Sequence, residues 1–158
     1  MKTAKDWIQL LKMEPHIEGG YFKEMAKSEE KILSRENRAL YTSIYFLLEE
    51  DNPSHFHRLT ADEVWYFHEG EPLTIHMFSP EGKYSKVFLG TEIEKGQHLQ
   101  FVVPKHTIFG SSVESGYALV SCMVSPGFEY SDFELMKRKD LLENYPEERE
   151  IIEKLTRK

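Results

Sequence analysis

Short runs of alternating apolar and polar residues, separated by turn-forming residues, occupy the middle of the chain. Seven segments have this pattern and predict β-strands: residues 40–48, 54–59, 64–68, 73–79, 84–89, 99–103 and 116–124. Glycine- and proline-containing turns connect them, and the polar residues 27–39 before them predict an exposed hairpin or loop. No helical crossover separates the strands, so we expect an antiparallel sandwich or barrel rather than a parallel sheet.

The two ends of the chain have a helical pattern instead. Thr3 is a candidate N-cap for an apolar stripe over residues 7–11, and Pro15 ends the stretch. Near the C-terminus, Pro146 suits the first turn of a helix that continues through residues 151–155. The sequence therefore predicts an all-β domain with short N- and C-terminal helices.

Composition restricts the size of the fold and the partners that it can bind. The chain has 158 residues, 40% of them hydrophobic and 30% charged, so we expect one domain over residues 1–158. The net charge of -7 and the lack of a Lys/Arg cluster argue against nucleic acid or an anionic membrane as a partner. There is no apolar signal region and no apolar run of membrane-spanning length, so we expect a cytoplasmic location.

The single cysteine, Cys122, excludes an intrachain disulfide. It lies within an apolar strand segment, and no neighbouring residue in the sequence would lower its pKa. We interpret it as a small core residue rather than a reactive thiol.

Candidate chemistry is concentrated in His55-Phe56-His57, followed by Glu63 and Gly70. Residues at i and i+2 of a strand point to the same face, so the two imidazoles can share that face with a carboxylate from the next strand. Two histidines and one carboxylate can hold one divalent ion, such as Zn, Ni, Mn or Fe, and leave positions open for water or substrate. Asp62 is an alternative to Glu63, but the spacing to Gly70 favours Glu63.

The chain also resembles a family of small cupins of unknown function, which includes a yeast cupin. The segments that carry the resemblance are Glu18-Gly19-Gly20-Tyr21-Phe22, residues 42–48, residues 57–65, residues 68–73, Val102-Val103-Pro104 and residues 124–134. The resemblance implies a double-stranded β-helix, or jelly roll, that pairs as a homodimer and is similar in shape to deoxysugar epimerases. It implies no particular reaction.

One departure from the cupin pattern affects the metal prediction. The second cupin motif of metal-binding relatives, P-x-G-x-x-H, supplies another imidazole, whereas this chain has Phe109 at the histidine position and His106 at the glycine position. The sequence therefore lacks one of the metal-ligating histidines that the cupin pattern contains. The sequence does not assign the direction of His106.

Three functional interpretations remain open, all with a small polar molecule as partner. The first is a metal-dependent enzyme that uses His55, His57 and Glu63. The second is a metal-free epimerase or isomerase in which His57 abstracts a proton and Tyr66 or Tyr45 returns it. The third is a binding module without turnover. The predicted ligand-contacting residues are Glu18, Tyr21, Tyr45 and Trp65; the resemblance places the first two near the barrel mouth.

Overall fold

The computed structural model describes residues 1–158 and contains fourteen strands and three α-helices. The strands are β1 (Glu14–Pro15), β2 (Tyr21–Lys27), β3 (Lys31–Ile32), β4 (Arg38–Ala39), β5 (Thr42–Glu49), β6 (Ser54–Arg58), β7 (Asp62–Gly70), β8 (Leu73–Phe78), β9 (Tyr84–Leu89), β10 (Gln97–His98), β11 (Gln100–Val103), β12 (Ile108–Val113), β13 (Tyr117–Ser125) and β14 (Glu134–Leu135). The helices are α1 (Ala4–Leu10), α2 (Arg138–Asn144) and α3 (Arg149–Lys154).

Two six-stranded sheets face each other as a jelly roll. The first sheet has the order β1-β2-β5-β13-β7-β11 and the second has the order β10-β9-β8-β12-β6-β14, while β3 and β4 pair separately. The long strands pair antiparallel, and the one parallel ladder joins the short β10 to β9. The prediction of an all-β jelly roll with terminal helices is confirmed.

The core lies where the inner faces of the two sheets meet. Fourteen buried residues form it, contributed by alternating positions of strands in both sheets. Trp65 is its largest fully buried side chain and packs edge-on against Phe46 and Phe109, with ring centroids 6.0 and 6.3 Å away. Burial of such side chains contributes about 2–3 kcal/mol each relative to exposure.

The terminal helices cover the outer faces of the sheets. Thr3 caps α1: its hydroxyl accepts the N–H of Asp6 and its own N–H donates to the Asp6 carboxylate, at 3.2 and 2.9 Å. Helix α1 packs against Leu47 and Leu119 of the first sheet, and α2 and α3 cover the second. No helix is long and apolar enough to cross a membrane.

The sequence pattern did not predict β12, although that strand is buried along its whole length. Its centre, Gly110-Ser111-Ser112, has the composition of a turn. In the structure these small residues allow close contact with β6, since a Cβ on Gly110 would lie 2.9 Å from the Ser54 carbonyl oxygen. Residues 27–39 form a hairpin as expected, but Arg38 and Ala39 at its end are buried rather than exposed.

Strand register places one polar row at the open end of the barrel. Val124 of β13 lies opposite Thr42 of β5 and Glu63 of β7, whereas Cys122 in the next inward row lies opposite Ile44 and Trp65. Side chains two residues apart along a strand share a face. On the inner face of the first sheet, the row that contains Thr42 and Glu63 is therefore the next one after the row of core residues that contains Trp65.

Candidate functional site

A cavity of about 110 Å³ lies between the sheets at this end of the barrel. Its volume suits several water molecules or one small organic molecule. Residues from β2, β5, β6, β7, β13 and the flanking loops line it: His16, Glu18, Phe22, Glu24, Lys27, Thr42, Ile44, His57, Leu59, Glu63, Cys122, Val124, Phe128 and Tyr130. The four titratable groups at its inner end, His16, Glu18, His57 and Glu63, are all almost fully buried.

Glu18 reaches the cavity from the tight loop between β1 and β2. Gly19 and Gly20 have φ of +112° and +72°, which side chains other than glycine rarely adopt. A Cβ on Gly20 would also lie 2.8 Å from the Leu47 carbonyl oxygen, so only glycine fits this close approach to β5. The glycine pair therefore meets a backbone requirement, and the tight loop that it allows turns Glu18 into the barrel.

His55 anchors that loop rather than binding in the cavity. Its backbone N–H and its Nδ1–H both donate to the Glu18 carbonyl oxygen, at 2.7 and 2.6 Å. The two histidines of the H-x-H pattern therefore have different roles. His55 holds the backbone of Glu18, and His57 contacts the Glu18 side chain.

His57 is held rigidly and both of its ring nitrogens are engaged. Nδ1–H donates to the His55 carbonyl oxygen at 2.7 Å, and Nε2 lies 2.8 Å from Glu18 Oε2. The ring packs between Phe109 and Phe133, with centroids 4.2 and 5.3 Å away. With no free nitrogen, His57 cannot by itself take a proton from a ligand, so the base predicted at His57 has to be assigned to the pair.

Glu18 and His57 form a buried ion pair. Burial alone would lower the pKa of His57, but the carboxylate of Glu18 outweighs it and raises that pKa above its usual value. Burial likewise would raise the pKa of Glu18, but the nearby imidazolium of His57 lowers it. Both directions favour imidazolium beside carboxylate.

Glu63 lies in the same cluster, and its pKa is shifted in the direction opposite to that of Glu18. Burial first, and then the negative charge of Glu18, raise the pKa of Glu63 from 4.5 to about 8. Its Oε2 is buried and has no hydrogen-bond partner in the protein. At neutral pH the inner end of the cavity therefore contains one ionised carboxyl group, Glu18, and one protonated carboxyl group, Glu63.

Cys122 lies beside Glu63 and is 1% exposed. Burial, together with the neighbouring carboxyl groups, raises the pKa of its thiol well above the usual value. The thiol stays protonated, which agrees with the interpretation of Cys122 as a core residue rather than a nucleophile.

His16 is a site residue that the sequence analysis missed. It lies in the loop before Glu18, and the backbone N–H of Glu18 donates to its Nδ1 at 3.2 Å. Its ring contacts the rings of Phe22 and Phe46, with centroids 4.7 and 5.9 Å away. The available signal was its position two residues before Glu18, but nothing in the linear pattern shows that the loop folds into the barrel.

The predicted aromatic contacts are placed elsewhere. Tyr45 and Tyr66 lie on the outer face of the first sheet, together with Ser43, Ser121 and Met123. Alternation explains this, because Ile44 and Glu63 take the inward positions of the same strands. Neither tyrosine can return a proton to a ligand held beside His57.

Tyr21 and Trp65 also lie outside the cavity lining. Tyr21 packs under α1 on the outer face, while its neighbour Phe22 points inward. Trp65 is in the core, one row deeper than Glu63. Of the four predicted ligand-contacting residues, the structure brings only Glu18 to the cavity surface.

The fold suggests a metal site, but the residues present do not fit one. No three His, Cys, Asp or Glu side chains are arranged to hold a metal ion, and the predicted set of His55, His57 and Glu63 is divided because His55 bonds the Glu18 carbonyl. Phe109 lies directly opposite His57 in the β6–β12 ladder, so an apolar ring occupies the place of the second-motif imidazole. His106 is exposed in the turn before β12.

Comparisons with known proteins agree with this architecture. The family model described as "Cupin superfamily (DUF985)" matches residues 5–136. The chain is 30% identical to the uncharacterized protein YML079W of Saccharomyces cerevisiae over 162 residues, covering 90% of this chain and 78% of that protein.

Solved structures give the same result. Protein SO0799 from Shewanella oneidensis is 48% identical, with a TM-score of 0.94 and 99% of both chains covered. A hypothetical protein from Leishmania major is 40% identical, with a TM-score of 0.93 over 99% of this chain and 100% of that one. Oxalate decarboxylase from Bacillus subtilis is 13% identical, with a TM-score of 0.58 over 89% of this chain and 36% of that one, which is a likeness of fold alone.

Proposed function

The chain belongs to the DUF985 family of the cupin superfamily, and from the geometry of its cavity we propose that it is a metal-free acid–base enzyme that moves a proton on a small polar molecule. The observation that carries the proposal is the convergence of Glu18, His57 and Glu63 in one cavity. Two carboxyl groups with pKa values shifted in opposite directions are suited to act as base and acid in one reaction.

Glu18 is the proposed base. Its Oε2 contacts His57 at 2.8 Å, which leaves Oε1 free of that contact to accept a proton from the ligand carbon next to a carbonyl group. The imidazolium of His57 remains charged throughout and orients the carboxylate. His57 thus acts through Glu18, not as the base that the sequence suggested.

Glu63 is the proposed acid. It holds a proton at neutral pH and its side chain lines the cavity. Glu63 donates one proton to a carbon atom of the ligand. The ligand therefore loses one proton and gains one, without oxidation or reduction. Transfer of the proton from Glu18 back to Glu63 through water restores the starting state.

Hydrogen–deuterium exchange tests this function directly. Small ketones, hydroxy ketones and aldoses are incubated with the protein in D₂O, and ¹H NMR follows the loss of signal at carbons next to the carbonyl group. We expect enzyme-dependent exchange with at least one compound and about 10²- to 10⁴-fold slower exchange with Glu18→Gln. His98→Ala, at an exposed position outside the cavity, serves as the control. Ligand binding without exchange would contradict the proposal and favour a binding module.

The pKa of Glu63 also predicts a pH dependence of stability. Between pH 4.5 and about 8 the folded protein keeps a proton on Glu63 that the unfolded chain has released, so the contribution of this group to stability falls as pH rises. Glu63→Gln removes the effect. Relative to wild type, the free energy of unfolding of the variant should rise by up to about 1.4 kcal/mol for each pH unit across this window, measured by urea unfolding at several pH values. A difference that does not change with pH would contradict the assigned pKa shift.

We also propose that two copies pair as a homodimer. The outer face of the first sheet is a shallow apolar groove that includes Met25 and Met123, and the edge strand β11 exposes 43% of Val102. Pairing would cover this face and the unpaired edge. Light scattering should give about 37 kDa, twice the 18.6 kDa chain, at micromolar concentration.

A charged substitution at that edge tests where the copies meet. Val102→Lys should shift the protein toward monomer, because the buried ammonium would lack a partner. Ile93→Lys, at a position that is 55% exposed in a short 3₁₀ helix, should not. Monomeric wild-type protein would rule out the dimer.

A further inference from the structure

His16 has a defined tautomer that leaves one hydrogen-bond donor for a ligand. The backbone N–H of Glu18 can only donate, so His16 Nδ1 accepts and the ring proton is on Nε2. Nε2–H makes no hydrogen bond within the protein, and the ring lines the cavity. The His16 side chain is only 6% exposed, so an N–H on the cavity side without a protein partner is left to water or to a ligand acceptor.

The ring cannot easily turn to use this donor elsewhere. Phe22, Phe46, Phe128 and Phe133 surround it, with centroids between 4.7 and 6.3 Å away. Burial lowers the pKa of His16, which keeps the imidazole neutral. The donor is thus held in place and carries no net charge.

The charges at the inner end of the cavity disfavour an anionic ligand. The imidazolium of His57 is already paired with Glu18, and Glu63 is neutral when protonated. Lys27 is the one lysine or arginine in the lining, and it shares β2 with Glu24, which also lines the cavity. Half of the fourteen residues that line the cavity are hydrophobic, and the surface that they form suits an apolar group of the ligand.

We propose that His16 Nε2–H donates a hydrogen bond to the carbonyl oxygen of the ligand, and that the ligand class is small, uncharged carbonyl compounds with an apolar portion. This deepens the proposed function and rests on it. Removal of the α-proton by Glu18 places negative charge on the carbonyl oxygen, and a neutral, preorganised donor stabilises that charge. A phosphorylated or carboxylated ligand would find no free cation at the inner end.

Binding is tested first, without any need for turnover. Long-range ¹H–¹⁵N NMR of the histidine rings should show His16 as the Nε2–H tautomer at neutral pH. Addition of 3-hydroxybutan-2-one, cyclohexanone or pentane-2,4-dione should shift the His16 Nε2 signal for at least one compound, whereas pyruvate and dihydroxyacetone phosphate should not shift it. The opposite tautomer, no shift with any neutral probe up to its solubility limit, or a larger shift with the anions would overturn the proposal.

Two substitutions separate the donor from the structural acceptor of the same ring. In His16→Asn the side-chain oxygen can still accept the N–H of Glu18, but the Nε2 donor is lost. In His16→Gln the amide nitrogen reaches the Nε2 position, but the Nδ1 acceptor is lost. For the neutral compound that binds, we expect deuterium exchange to be about 10²-fold slower in His16→Asn than in wild type. The exchange rate should recover in part in His16→Gln. The reverse order would assign His16 a structural role only.

The two readouts distinguish the two proposals. A probe-dependent shift of the His16 signal with no exchange in wild type would leave the ligand contact standing and reject the acid–base enzyme. Exchange in wild type that is unchanged in His16→Asn would leave the enzyme standing and reject the donor role of His16.

Discussion

Replacing Glu63 with Gln is expected to slow proton exchange on the ligand by about 10²- to 10⁴-fold while the protein remains folded. Gln has the shape of the protonated carboxyl group that the cavity contains at neutral pH, so the packing against Cys122 and Val124 should persist. The amide, however, cannot transfer a proton. Initial rates of deuterium exchange, measured by ¹H NMR at equal protein concentration, provide the measurement.

The matched control is Glu92→Gln. Glu92 is partly exposed, pairs with Lys95 at 2.8 Å and lies outside the cavity lining, so the same chemical change should leave the exchange rate within about twofold. Similar rates for Glu63→Gln and wild type would remove Glu63 from the mechanism. Circular dichroism of each variant separates loss of chemistry from loss of fold.

Gly19→Ala should both destabilise the protein and disable the cavity. Gly19 has φ +112°, and a Cβ there would lie well inside contact distance of the Pro53 carbonyl oxygen and 3.2 Å from His55 Nδ1. The loop would have to move away from β6 and carry Glu18 with it. We expect about 3 kcal/mol or more of destabilisation and loss of exchange activity.

Gly96→Ala isolates the conformational part of that effect. Gly96 also has positive φ, +83°, but a Cβ there would meet nothing within 4 Å. Its cost should be about 1–2 kcal/mol, the usual penalty for a left-handed backbone, with activity unchanged. Urea unfolding of both variants measures the difference. Equal destabilisation would mean that the close approach of Gly19 to β6 has no energetic importance.

The broad features of this protein follow from local patterns in its sequence. Alternating segments such as residues 84–89 and the turns between them determine strands, since a half-buried strand needs a period of two whatever its neighbours are. Thr3 and Asp6 determine the start of α1 because a helix cap is a contact between residues three apart. The family resemblance is confirmed because it rests on motifs spread along the chain.

The functional site was only partly accessible to this reasoning. Glu18, His57 and Glu63 could be named from their motifs, and alternation placed the last two on inward faces. The role of His55 could not be derived, because alternation gives a side chain's face but not which carbonyl group it meets. The strand β12 was missed because Gly110 and Ser111 are turn formers in isolation and close-packing residues between two strands.

The sequence by itself determined that this is a jelly roll with an acidic and histidine-bearing segment on β6 and β7. Only the tertiary structure decided that a loop 37 residues before His55 in the chain brings Glu18 against His57 and His16 into the same cavity. It also decided that Glu63 keeps its proton while Glu18 loses one. The physical reason is that burial and the charge of a neighbour set each pKa, and both depend on contacts between residues far apart in the chain.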